Sequence, residues 1–92
     1  MNKFVFTYMP DVRERGLRFQ SELSMEKGLA ITEEILQAKD FDVYSEVAVY
    51  TTDKESVFDI FPYEPYYHLN DKYKYLEPVV KEMCNRYLLK NQ

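Results

Sequence analysis

Two stretches near the start of the chain place apolar residues at every second position, the period of a strand. In Lys3 to Met9, Phe4, Phe6 and Tyr8 take one side and Val5, Thr7 and Met9 the other. Both sides are largely apolar, so this strand is expected near the middle of a sheet, and Pro10 ends it. In the second stretch Leu17, Phe19, Ser21 and Leu23 alternate with Arg18, Gln20 and Glu22, which predicts a half-buried strand pairing back on the first. The period then changes. Ser24 is placed to cap a helix over Met25 to Lys39. Met25, Gly28, Leu29, Ile31, Thr32, Ile35 and Leu36 form one face of it, and Glu26, Lys27, Glu33, Glu34 and Gln37 the other. A glycine inside a helix costs about 1 kcal/mol relative to alanine, so Gly28 points to close packing against the sheet.

Asp42 to Thr52 returns to strand character, with Val43, Ser45, Val47 and Val49 on one side and Tyr44, Glu46, Ala48 and Tyr50 on the other. The run Thr52, Asp53, Lys54, Glu55 reads as a polar turn, Ser56 to Phe61 as a fourth strand, and Pro62 as its stop. Residues 62–75 form a compact aromatic segment holding Tyr63, Tyr66, Tyr67, Tyr73 and Tyr75. Pro78 suits the first turn of a last helix starting near Glu77, whose apolar stripe is Leu76, Val80, Met83, Cys84, Tyr87 and Leu88. Lys90 complements the dipole at its end. The order ββαββα predicts one α+β domain over residues 1–92, a mostly antiparallel four-stranded sheet with two helices packed on one face.

Composition changes this picture in two ways. Nine Tyr and six Phe, with no Trp, are more rings than one thin core needs, and tyrosine suits interfaces. One cysteine, Cys84, makes no internal disulfide, and with His68 alone beside it no zinc set, which predicts a reducing compartment. No apolar run is long enough to span a bilayer, and the apolar start of the chain stops too early for a signal peptide. A cytoplasmic protein without membrane contact is the expectation.

Candidate chemistry is sparse. His68 has Tyr67 and Asn70 nearby in sequence but no nucleophile, and Cys84 lies on an apolar helix stripe, where a packing thiol is expected. Asp40 with Asp42, and Asp53 with Glu55, lack the ligand density of a calcium loop, and two glycines build no phosphate cradle. No catalytic residue, metal ligand or cofactor is expected. Arg13, Arg15 and Arg18 form a small basic cluster interrupted by Asp11 and Glu14, too small a footprint to predict direct nucleic-acid binding.

The net charge of −4 is unevenly spread. Residues 1–20 and 65–92 carry +2 each, residues 21–39 carry −2, and residues 40–64 carry −6 from Asp40, Asp42, Glu46, Asp53, Glu55, Asp59 and Glu64 against Lys54. On a strand, alternate side chains share a face about 6.6 Å apart. Asp40, Asp42, Tyr44 and Glu46 would then form a row spaced like neighbouring phosphates, extended by Glu26, Glu33 and Glu34 of the first helix. Solvation of a sheet face is the plain alternative. The opposite-signed blocks and thin core also predict a homodimer.

In size, acidity, richness in Tyr and Phe without Trp, and want of a catalytic set, the chain resembles the anti-restriction nuclease proteins of T-even bacteriophages. The resemblance implies an acidic DNA mimic that blocks a host DNA-binding protein or restriction enzyme specific for modified DNA. No residue role is carried over from it. A net −4 is modest for a mimic, so the charges would have to gather on one face. The competing expectation is a protein–protein adaptor whose contact is the segment 62–75, with Tyr66 and Tyr67 at its centre. A nucleic-acid binder using the three arginines, and an enzyme using carboxylates and His68, rank below these.

Overall fold

The computed structural model describes residues 2–63 and 65–88. Alternation near the N-terminus becomes a hairpin. Phe4–Met9 (β1) pairs antiparallel with Phe19–Leu23 (β2), Phe6 facing Ser21. On its other side β1 pairs with Glu46–Thr51 (β3), Phe6 facing Val49. Ser56–Ile60 (β4) follows β3 through the expected polar turn, with a register shift between Val49 and Tyr50, and Tyr67–Leu69 (β5) closes the far edge. The sheet runs β2-β1-β3-β4-β5, antiparallel throughout.

Met25–Ile35 (α1) and Glu77–Tyr87 (α2) pack on one side of this sheet. Cross-strand partners share a face, so Phe4, Phe6, Tyr8, Val47, Val49, Phe58 and Ile60 all point to that side. There they form one core with Leu36, Leu76, Val80, Met83 and Cys84. The Ser24 side chain accepts the Lys27 N–H at the start of α1, as a capping serine should. Gly28 meets the sheet directly: a Cβ added there would overlap the Phe6 ring. The glycine therefore buys close helix–sheet approach at the cost of helix propensity.

Three expectations need correction. The sheet has five strands, not four, and the strand–helix order is ββαβββα rather than ββαββα. The extra strand lies inside the aromatic segment, continued by the Phe61 N–H donating to the Tyr66 carbonyl (2.9 Å) and the Asn70 N–H to that of Val57 (2.9 Å). Asn70 then caps a 3-10 turn over Asp71–Leu76 by accepting the Lys72 N–H. Three residues are too few for a period of two to show itself.

The third correction matters most for function. β3 starts at Glu46, not Asp42, and α1 ends at Ile35, not Lys39. Side chains capture the intervening backbone. The Ser45 hydroxyl accepts the Asp42 N–H (2.8 Å) and donates to the Pro10 carbonyl (2.7 Å), while the Asp42 carboxylate accepts the Tyr44 N–H (2.9 Å). Such bonds offer the chain an alternative to the ladder. Ser45 is fully buried in this knot, and Val43 is left exposed.

Candidate functional site

One face of the sheet carries the helices; among the described residues no helix lies on the other. From the register, this open face shows three rows across the strands. Glu22, Val5 and Tyr50 form the first, Gln20, Thr7, Ala48, Asp59 and His68 the second, and Met9 and Glu46 the third. Thr7 and Ala48 at the centre are shielded by their neighbours, and the Thr7 hydroxyl donates to the Ala48 carbonyl across the ladder (2.8 Å). A shallow groove of 670 Å³ runs along β1, floored by Val5, Thr7, Met9, Ala48 and Tyr50.

Beside the groove stand Glu46 and Asp59. Ala48 is the register partner of Asp59, so Glu46 is its diagonal neighbour on the same face, about 7–8 Å away between Cα atoms. Burial holds the Glu46 carboxyl above its usual range, and the charge of Asp59 raises it further. Burial raises Asp59 as well, opposed by the charge of His68 and a backbone hydrogen bond from it. Among the described residues no ion pair reaches either carboxylate. Both are thus half-desolvated like charges, neither in an ion pair, with the charge of His68 opposing the shift at Asp59 alone.

The remaining acids of the 40–64 block do not join them. Asp40 turns inward: the Tyr8 hydroxyl donates to its Oδ1 (2.6 Å), and Arg18 lies 2.7 Å from Oδ2 as an ion pair without hydrogen-bond alignment. Burial pushes the Tyr8 hydroxyl far above its ordinary value, helped by the bond to Asp40. Asp42 is held in its turn, Asp53 is exposed in the β3–β4 hairpin, and Glu55 pairs with Lys72 (2.8 Å). Glu64 lies outside the described residues. On α1, Glu33 pairs with Arg86 of α2 (3.4 Å), while Glu26 and Glu34 are exposed. The row Asp40, Asp42, Tyr44, Glu46 therefore does not form.

The aromatic segment is drawn partly into the core. Tyr66 and Tyr67 are half-buried against it, and the Tyr67 hydroxyl donates to Glu77 Oε2 (3.1 Å). Tyr63 is half exposed and packs on Phe61 and Tyr44, and the Arg13 guanidinium lies 3.6 Å above the Tyr44 ring. The basic cluster is likewise divided. Asp11 holds Arg13 through two bonds and Asp40 holds Arg18, leaving Arg15 at the groove.

His68 is exposed on β5 beside Asp59. The Cys84 thiol is buried, which pushes its pKa up to about 11, too high for a ready nucleophile. No three of the described His, Cys, Asp and Glu residues are grouped to hold a metal ion. No described helix is long and apolar enough to cross a membrane. Tyr50, Glu22 and Lys54 were not singled out by the sequence; the signal was there for Glu22, a polar member of an alternating strand. Compared with protein-family models, with curated proteins and with solved structures, the chain matches none.

Proposed function

We propose that this chain is a binding protein without chemistry of its own, an acidic inhibitor that offers carboxylates in place of phosphates to the DNA-binding surface of an enzyme. A restriction endonuclease specific for modified DNA is the kind of target the resemblance to the anti-restriction proteins suggests. The observation that carries the reading is the pair Glu46 and Asp59: neighbouring carboxylates on the open sheet face, both raised by burial, neither of them in an ion pair among the described residues. A basic cleft brought against them relieves the repulsion and supplies the missing counter-charge. Their spacing is comparable with that of neighbouring phosphates. The test is inhibition of such an endonuclease on modified DNA. The intact chain should inhibit, inhibition should fall as salt rises, and Glu46→Lys with Asp59→Lys should abolish it. Inhibition that survives the double reversal defeats the proposal.

A second reading, a protein–protein adaptor, is favoured by the exposed ring of Tyr63 with Tyr44 and Phe61 beside it. An aromatic contact of this kind keeps its partner at high salt, where a charge mimic releases it.

A further inference from the structure

The groove on the open face carries a charge at each of its four corners. At the end where β1 finishes, Arg15 stands on the β2 side and Glu46 on the β3 side. At the end where β1 begins, Glu22 stands on the β2 side and Lys54, from the β3–β4 hairpin, on the other. Among the described residues none of the four is in an ion pair. Two of them, Arg15 (φ 58°) and Lys54 (φ 72°), sit in the left-handed backbone region that side chains disfavour, so the loops hold these cations at the groove ends at some cost.

The signs have a symmetry. Reading along the β2 side gives plus then minus; along the β3 side, minus then plus. A two-fold axis parallel to β1, lying over the middle of the groove, exchanges the two sides while keeping each end in place. It carries Arg15 onto Glu46 and Glu22 onto Lys54. A second copy placed by that axis thus meets every corner with the opposite charge, four ion pairs in all. Its floor of Val5, Met9, Ala48 and Tyr50 meets the same apolar floor. Exposed Leu17, beside Arg15 at the groove wall, is carried by the same axis onto the β3 side next to Glu46. Closed two-fold dimers require such self-complementarity, and two sheets packed face to face bury their inner faces in this manner.

We infer that the open face is a docking surface for a second copy of this chain, joined sheet to sheet about a two-fold axis along β1, with Arg15 of each copy on Glu46 of the other and Lys54 on Glu22. The inference does not need the inhibitor reading, although it sets a limit on it: a target and a second copy compete for Glu46, whereas Asp59, on β4, stands outside the groove lining.

The experiment is the mass of the full chain in solution, by sedimentation at micromolar concentration with no target present. The parent should be a dimer. Arg15→Glu and Glu46→Arg should each be monomeric, because each places like charges together twice. Mixed one to one, the two variants should form a heterodimer, since both contacts between unlike chains are then complementary. A misfolded variant would not recover in this way, so the mixture separates lost contact from lost fold. A monomeric parent, single variants that still dimerise, or a mixture that stays monomeric would each overturn the inference. None of these outcomes depends on whether an endonuclease is inhibited.

Discussion

Gly28 fits beneath the Phe6 ring only because it has no side chain: a Cβ on Gly28 would fall well inside van der Waals contact of three ring carbons. Phe6 is itself fully enclosed by the core, so it has nowhere to swing. Gly28→Ala gains about 1 kcal/mol in helix propensity but forces overpacking that costs about 1–3 kcal/mol. The variant should therefore be less stable than the parent, seen as a lower urea midpoint. In a Phe6→Leu background the same change should cost much less, because the obstructing ring is gone. Equal costs in the two backgrounds would show that the contact is not the reason for the glycine.

Tyr8 and Asp40 make the second internal tie. The bond is short, its acceptor is a carboxylate, and it joins β1 to the segment between α1 and β3. Tyr8→Phe leaves that acceptor with Arg18 alone and should cost about 1.5–3 kcal/mol, the usual loss for a hydrogen bond to a charged group. Thermal unfolding measures it. An unchanged midpoint would mean that the tie contributes nothing.

Glu46 and Asp59 give the protein a pH dependence whose sign is fixed by the direction of their shifts. Both carboxyls are raised in the folded state. The folded chain then holds these protons more tightly than the unfolded chain does. Their contribution to stability is complete below about pH 4, the ordinary carboxylate range, and is lost as pH rises through the folded values toward neutrality. Asp11 acts in the opposite sense, lowered by Arg13, but that pair is exposed and screened. Asp59→Asn, outside the groove, should raise the melting temperature at neutral pH and flatten its fall between acid and neutral pH. A parent whose stability climbs steadily over that interval, unaltered by the change, would contradict the assignment.

Where one face was buried and the element was long, the pattern of residues was enough to read the fold. The inward positions of β1, the cap at Ser24, the glycine at 28 and the α2 stripe were all legible, because burial selects them one by one. The sequence failed where side chains compete with the backbone ladder. Asp42 and Ser45 look like members of an alternating strand, yet their hydrogen bonds fold residues 40–45 into a turn. The acidic row was lost with that strand. Charge along a sequence says how many carboxylates there are, whereas the faces they take depend on register. The Glu46–Asp59 pair joins β3 to β4, and no spacing within either strand announces it.

The last prediction follows from that difference. Reversing Asp40 is no test of a charge surface, because Asp40 is tied to Tyr8 and Arg18, and a lysine there would disturb the fold. Asp53, exposed at the tip of the hairpin, serves as the control. If carboxylates on the open face stand in for phosphates, Asp59→Lys should weaken inhibition of the endonuclease by about tenfold or more, since it replaces an attraction by a repulsion inside a basic cleft. Asp53→Lys should change it little, because a groove reads charge by position and not by sum. Both reversals alter net charge equally, so a long-range effect of charge alone would make them indistinguishable. Tyr63→Ala, beside them, removes the exposed ring without touching charge. Inhibition constants for the three variants, measured at low and at high salt, then decide. Loss in Asp59→Lys that shrinks with salt supports mimicry, loss in Tyr63→Ala that ignores salt supports the adaptor, and equal losses in the two lysine variants would show that the open face is no binding surface for the enzyme.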